Sequence, residues 1–397
     1  MRLTLFEQLS RFSHLLQSGL FPALESELGE LSASARRLVA ILELIPLDRF
    51  VPSSRGWNGR PQRNRHAIAS AFVAKAVYNL PRTSDLLDRL ASDEHLRLIC
   101  GWKRGEPLPH ESTFSRAFAE FAEMELAQFV HEALIRETQK GRLIGHIARD
   151  ATAIEAREKF PLTRAQIAAA KAKVKAERQS RKGIKLGPPK PYKGGKPQRR
   201  PAKLDTHLHR QRAMQLEPML RELPRACAIG SKMSSNGYLH YWRGYKLHLD
   251  VADGQIPVSA VLTGANVHDS QVAIPLATMT SERVTYCYEL MDAAYDAAEI
   301  IDHARSMGHV PIIDPKNAGR KPKSSFLPGK TPRELTWAER DRFAERTMIE
   351  RVYARLKDEF GARHVRVRGA TKVMAHLMFG VLALTADQIL KLGPGIS

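Results

Sequence analysis

"LHYWRGYKLHLDVADGQIPVSAVLTGANVHD" occupies residues 239–269. Apolar and polar residues alternate on both sides of "ADGQ", which predicts two antiparallel strands joined by a tight hairpin. Working outward, "LIGHIARDATAIEA" (143–156) reads as an earlier strand that carries Asp150 near its end. Downstream, "SQVAIPLATM" reads as a helix and "VTYCYELMDAAYD" as a strand delivering Asp292. "AAEIIDHARSMG" follows as a helix, "HVPIIDP" as a strand, and "RFAERTMIERVYARLKDEF" (342–360) as a closing helix. That order predicts a mixed-sheet α/β domain.

Residues 1–140 read as helical. Leu5, Leu9, Phe12 and Leu16 recur at helical spacing, as do Phe72, Val73, Ala76, Val77 and Leu80 before Pro81. "TSDLLDRLASDEHLRLICGW" predicts two short helices, the first capped by Thr83 or Ser84. "LPHESTFSRAFAEFAEMELAQFV" predicts one more, capped by Ser112, with Phe114, Phe118, Phe121 and Phe129 facing inward. Short helices with Arg89, Arg97, His110 and Arg116 outside suit a helix-turn-helix-like DNA module. A helical domain that merely packs fits the same pattern.

Charge narrows the partner. The 397 residues hold 62 Lys+Arg against 42 Asp+Glu, a net charge of +20 with a pI near 10.0. Such a field concentrates anions, so nucleic acid is the leading partner class and an anionic membrane surface the second. No apolar stretch approaches the ~18–20 residues of a membrane span, and "HLMFGVLALTA" (376–386) reads as a core helix. The N-terminus lacks a signal-peptide core. Cys100, Cys227 and Cys287 form no metal or disulfide pattern, which points to a reducing cytoplasm.

Two stretches interrupt the α/β order. Residues 157–213 carry 18 Lys+Arg against Glu158, Glu177 and Asp205, and include "RKGIKLGPPKPYKGGKPQRRPAK". Gly and Pro at that density argue against a packed core, so the segment reads as a basic arm for polyanion contact. A second basic loop, 315–337, ends in Trp337, which suits either base stacking or capping of the core.

Phosphodiester hydrolysis at neutral pH needs a nucleophile and charge relief on the leaving oxygen. Two hard divalent ions held by a few carboxylates supply both. Asp150, Asp292 and Glu350 are the acids that this element order brings to one sheet edge. On one continuous helix, Phe343, Arg346, Glu350 and Lys357 fall at about 0°, 300°, 340° and 320°, one polar wedge. Met348, Val352, Leu356 and Phe360 form a separate apolar stripe. A solvated helix face with an Arg346–Glu350 pair explains the wedge too, at only ~0.3–0.5 kcal/mol. In a site, the cations hold DNA phosphates while Glu350 binds metal.

The spacing F-x2-R-x3-E-x6-K at Phe343, Arg346, Glu350 and Lys357 resembles the Y-x2-R-x3-E-x6-K signature of bacterial insertion-sequence DDE transposases. "RDATAIEA", "GYKLHLDVADGQIPVSAVLTGANVHDS" and "LMDAAYDA" are similar to that family in the same order, as is the helical segment 66–122. The resemblance implies a ribonuclease-H-like catalytic domain with Asp150, Asp292 and Glu350 as its metal-binding triad. It also implies Arg346 and Lys357 as DNA contacts near the scissile ends. Phe343 stands where the pattern has Tyr, so a phosphate contact from that hydroxyl is not available.

Neighbouring groups compete for roles. Asp296 reads as a helix cap or an alternative metal ligand, and Asp269 or Ser270 as the cap after the third strand. His268 reads as a group reaching a phosphate or ordering the site; Asp250 and Asp253 read as hairpin residues. The expected organisation is a helical DNA-binding and assembly domain over 1–140. A catalytic domain over 141–397 follows, with a basic insertion at 157–236 and a shorter one at 315–337. The expected activity is binding of terminal inverted repeats, cleavage with two Mg²⁺ (Mn²⁺ substituting) and 3′-OH transfer to target DNA. Expected partners are double-stranded DNA and a second copy, as a homodimer on DNA, with no membrane and no small-molecule cofactor. A ribonuclease-H-like nuclease or resolvase that never joins, or a non-catalytic DNA-binding descendant of a transposase, is the alternative. Trp337, Arg116 and His268 complete the expected DNA contacts.

Overall fold

The computed structural model describes residues 4–51, 64–156, 206–233, 238–314 and 335–393, with 158 and helical residues 168–169, 171–173 and 176. Most of the basic arm (177–205) and the loop 315–334 lie outside the described residues.

Among the described residues eight α-helices come first: α1 (Leu5–Leu15), α2 (Phe21–Leu28), α3 (Ala33–Leu44), α4 (Arg65–Val77), α5 (Thr83–Ser92), α6 (Glu94–Ile99), α7 (Glu111–Glu123) and α8 (Leu126–Thr138). The helix expected across α7 and α8 is broken at Glu125, whose φ of 51° ends the α7 period. Phe114, Phe118 and Phe121 are buried as expected, but the new period turns Phe129 outward, 51% exposed. The caps also differ from expectation. His110 Nδ1, not Ser112, accepts the first-turn N–H of α7, and Asp85 takes the Arg82 N–H at the start of α5.

The sheet contains β1 (Leu143–Glu155), β2 (Ala228–Met233), β3 (Leu239–Ala252), β4 (Ile256–Gly264), β5 (Thr285–Met291) and β6 (Val310–Ile313). Between β1 and β2 lie the short α9 (His207–Gln211) and α10 (Leu216–Glu222), so the stretch 206–233 is folded onto the domain. β3 is the organising strand. Its first half pairs with β2, its second half with β4 across the expected hairpin, and its other edge with β1, all antiparallel. β5 then joins β1, and β6 joins β5, in parallel. The order β4-β3-β1-β5-β6, with only β3 and β4 of the expected strands run as a hairpin, is the ribonuclease-H-like mixed sheet.

Gly244 marks the point where β3 changes partner. Its φ of 152° and its approach to the Ile154 carbonyl leave no room for a Cβ. Helices flank the sheet: α11 (Ser270–Ser281), α12 (Ala298–Ser306), α13 (Trp337–Ala344), α14 (Thr347–Asp358) and α15 (Ala370–Leu392). The expected 342–360 helix is two, because the chain turns at Glu345–Arg346 between α13 and α14.

α15 holds the parts together. It packs on α3, α4, α7 and α8 and also on β4, and one apolar cluster runs from Leu9 to Leu390. At 23 residues it is long and apolar enough to cross a membrane, longer than the stretch read from the sequence, yet 83% of its apolar window is buried inside the protein. The expected core-helix role is thus borne out.

Side chains of neighbouring strand residues point to opposite faces. Arg149 points to the face covered by α11, where it is fully buried. Its Nε and Nη2 donate to Asp250 at 2.8 and 2.7 Å, and its Nη1 to Glu289 at 2.8 Å. Thr280 of α11 donates to the same Asp250, at 2.7 Å. Asp250 is therefore a core ion-pair partner, not the hairpin residue its sequence position predicts. Burial would raise the Glu289 carboxyl, but Arg149, His309 and Tyr286 outweigh it and hold it down at about 2.

Candidate active site

The last rung between parallel β1 and β5 pairs Arg149 with Met291. The next residues, Asp150 and Asp292, therefore leave that pairing at the same level on adjacent strands. β1 itself continues to Glu155 against β3, so Asp150 marks the end of the parallel pairing and not of the strand. Asp150 Oδ1 accepts the Ala151 N–H at 2.7 Å, and Asp292 Oδ1 caps the short turn Ala293–Tyr295 through Ala294 N at 2.9 Å. Burial pushes the Asp150 carboxyl up to about 6. The Ala151 hydrogen bond opposes this, the charge of Asp292 adds to it, and Arg346 and Lys232 pull it back.

α14 lies across this edge on the face opposite α11. Its buried stripe is Met348, Val352, Leu356 and, just beyond its end, Phe360, as the sequence predicts, widened by Ile349 and Tyr353. Arg346, at the head of α14, bridges two acids: Nη1 is 3.4 Å from Asp150 Oδ2, and Nη2 is 3.0 Å from Glu350 Oε1. Phe343 reaches the same spot from α13, with the Arg346 guanidinium 5.7 Å from its ring centroid. Lys357, two turns beyond Glu350, donates to Thr152 Oγ1 at 2.7 Å.

Among the described residues no three His, Cys, Asp or Glu side chains are gathered closely enough to hold a metal ion as they stand. The donor chemistry nevertheless suits a hard divalent cation: the charge of Asp292 adds to the cost of ionising Asp150, and burial strips Asp150 of water. Arg346 brings positive charge to Asp150 and also ties down Glu350, whose side chain is 58% exposed.

The family model for the transposase DDE domain matches residues 142–386, from just before β1 into α15. A second model, described as Transposase domain (DUF772), matches residues 26–120. The chain belongs to the DDE transposase family. No curated protein and no solved structure matches the chain. As a DDE transposase it acts on DNA, and DDE domains work with divalent metal ions.

The remaining expected DNA contacts of the transposase are spread out. Trp337 opens α13 and is 83% exposed, so it does not cap the core. Arg116 is exposed on α7, its Nε bonded to Ser112 O at 3.2 Å. His268 is exposed after β4 and caps α11 by accepting the Ser270 N–H, the role expected of Asp269 or Ser270. Asp269 instead pairs with Lys246 at 2.8 Å. The helix after the Asp292 turn, α12, has Ala297 as its N-cap and no side-chain cap hydrogen bond, so the cap position is not the Asp296 expected.

Two tyrosines make contacts that the sequence reading did not assign. Tyr353 donates its hydroxyl to the main-chain carbonyl of Asp150 at 2.6 Å. Tyr295 is fully buried, and its hydroxyl has no hydrogen-bond partner among the described residues. Burial and the charges of Asp269, Asp150 and Asp292 hold that phenol far above its ordinary range, so it stays protonated beside the acids. "MDAAYDA" and the i+3 step from Glu350 to Tyr353 were the available signals.

Proposed function

We propose that this transposase binds the terminal inverted repeats of its own insertion sequence, cuts at the element ends and transfers the freed 3′-OH ends to target DNA. The observation that carries the proposal is the level placement of Asp150 and Asp292 on adjacent parallel strands, with Glu350 tied to Asp150 through one arginine. In this reading Asp150, Asp292 and Glu350 hold Mg²⁺, or Mn²⁺ in its place, as two ions. When bound, the ions supply an activated water and charge relief on the leaving oxygen.

The protein's own groups do the rest. Tyr353 fixes the main chain at Asp150, and Asp292 is oriented by the turn it caps. Arg346, paired with Asp150 and Glu350, would turn to a DNA phosphate and free both acids for the ions. Lys357 sits within reach of the same edge as a second phosphate contact. His268, Trp337 and Arg116 extend the DNA contacts, and the helical domain of residues 1–140 recognises the ends. Two copies assemble on the paired ends.

The test is a plasmid carrying the DNA that flanks this gene, incubated with purified protein and Mg²⁺. Excised element together with inserted product is the expected result. Cleaved ends that never join would contradict strand transfer and leave a nuclease.

A further inference from the structure

Two clefts of similar size but opposite character open on the surface. One, of about 520 Å³, lies between α8, α10, β4 and α15 and carries Glu125, Glu132, Glu217 and Glu282 against Arg225 and Arg283. The other, of about 580 Å³, lies where α4, α5 and α7 meet the segment leading into α15. Its charged lining is Lys75, Arg82, Arg366, Arg368 and Lys372 against a single carboxylate, Glu111. Burial keeps His376, on the same wall, down at about 4, so it adds no positive charge at neutral pH.

Lys75 is the unusual member. It is 8% exposed, in the middle of α4, and its ammonium makes one long hydrogen bond, 3.4 Å to the Pro81 carbonyl. A buried ammonium is costly without an anionic partner. Asp85 is the carboxylate whose charge it feels, and burial outweighs that, lowering Lys75 to about 8. Thr83 and Ser84, in the first turn of α5, also face the cleft, adding the positive end of a helix dipole.

The cleft is joined to the active-site edge by one stretch of chain. Lys357 ends the polar face of α14 and feels the charge of Arg363, and Val365 then bridges to Ala156 at the end of β1. Arg366 and Arg368 follow directly. We propose that this cleft seats the sugar-phosphate backbone of DNA whose end lies in the active site, with Lys75, Arg82, Arg366 and Lys372 contacting its phosphates. This rests on the transposase reading for the identity of the polyanion. Helix-end and cationic contacts of this kind fix register without reading sequence.

Because the contact is to backbone, a 30-base-pair duplex of arbitrary sequence is a sufficient probe. The full chain, Arg366→Ala/Lys372→Ala, Lys75→Met and a control of equal charge loss outside the cleft, Lys103→Ala/Lys140→Ala, are titrated across a salt series. The cleft double variant is expected to bind about tenfold more weakly, with its log–log salt slope shallower by about 1.8, at ~0.9 per phosphate contact. Lys75→Met, folded by circular dichroism, is expected to lose about one contact. A cleft double variant that tracks the control would overturn the proposal while wild-type binding preserved the transposase reading. Wild type that fails to bind the duplex would overturn both.

Discussion

The Tyr353 hydroxyl lies 2.6 Å from the main-chain oxygen of Asp150 and bonds helix α14 to the strand that carries the first acid. The bond is partly buried, and the ring stays in place if only the oxygen is removed. Tyr353→Phe should therefore leave the Asp150 carbonyl without that donor, at a cost of about 1 kcal/mol. Denaturant unfolding measures the loss. Cleavage should fall more than DNA binding, and unchanged cleavage would reduce Tyr353 to a packing residue.

Arg346 supplies the positive charge between Asp150 and Glu350. Arg346→Gln should tighten Mn²⁺ binding in the absence of DNA by about 1 kcal/mol, roughly fivefold, because a competing cation is gone. The same variant should bind and cut DNA less well. Calorimetric titration of Mn²⁺ reads the first effect, and weaker ion binding would mean that Arg346 organises the acids instead of occupying their place.

Arg149 is paired with both Asp250 and Glu289 in the core. Arg149→Met strands two buried carboxylates, and the expected cost is about 3–5 kcal/mol. The midpoint of chemical denaturation should fall accordingly. A change within the error of the measurement would show that water or rearrangement reaches these acids.

His131 and His248 are fully buried and held neutral by burial, His131 lowered to about 3 and His248 to about 4. The unfolded chain binds protons at these sites below about 6.5 and the folded chain does not, so unfolding gains protons as pH falls. Stability is complete above 6.5 and lost progressively toward 4. By pH 5 the loss is on the order of 2 kcal/mol for each histidine. Thermal unfolding at pH 7.5 and pH 5 checks the sign, and equal or greater stability at pH 5 would contradict it.

The β3–β4 hairpin was legible because alternation and "ADG" act over a few residues. The core character of α15 was legible from its apolar run, although its full length was not. Asp292 was legible because it follows the end of a short strand, whereas Asp150 lies inside β1, where only its parallel pairing ends. What stayed hidden depends on contacts distant in sequence. The Arg149–Asp250 pair reads as two ordinary polar strand positions until the α11 face covers them. Glu125 in a left-handed conformation and the turn at Glu345–Arg346 carry no Gly or Pro signal, so a helical period was extended through both. β2 was hidden because "AIGSKM" is short and finds its place only on β3.

In the proposed function Glu350 serves chemistry and not folding. The direct test compares wild type and Glu350→Gln for binding to DNA from the ends of the element and for Mg²⁺-dependent cleavage and joining. The amide keeps the shape of the side chain but loses its charge. Near-normal binding with cleavage and strand transfer abolished is the expected result for the variant. Cleavage by Glu350→Gln at a rate near that of wild type, or loss of binding and folding together with activity, would contradict it.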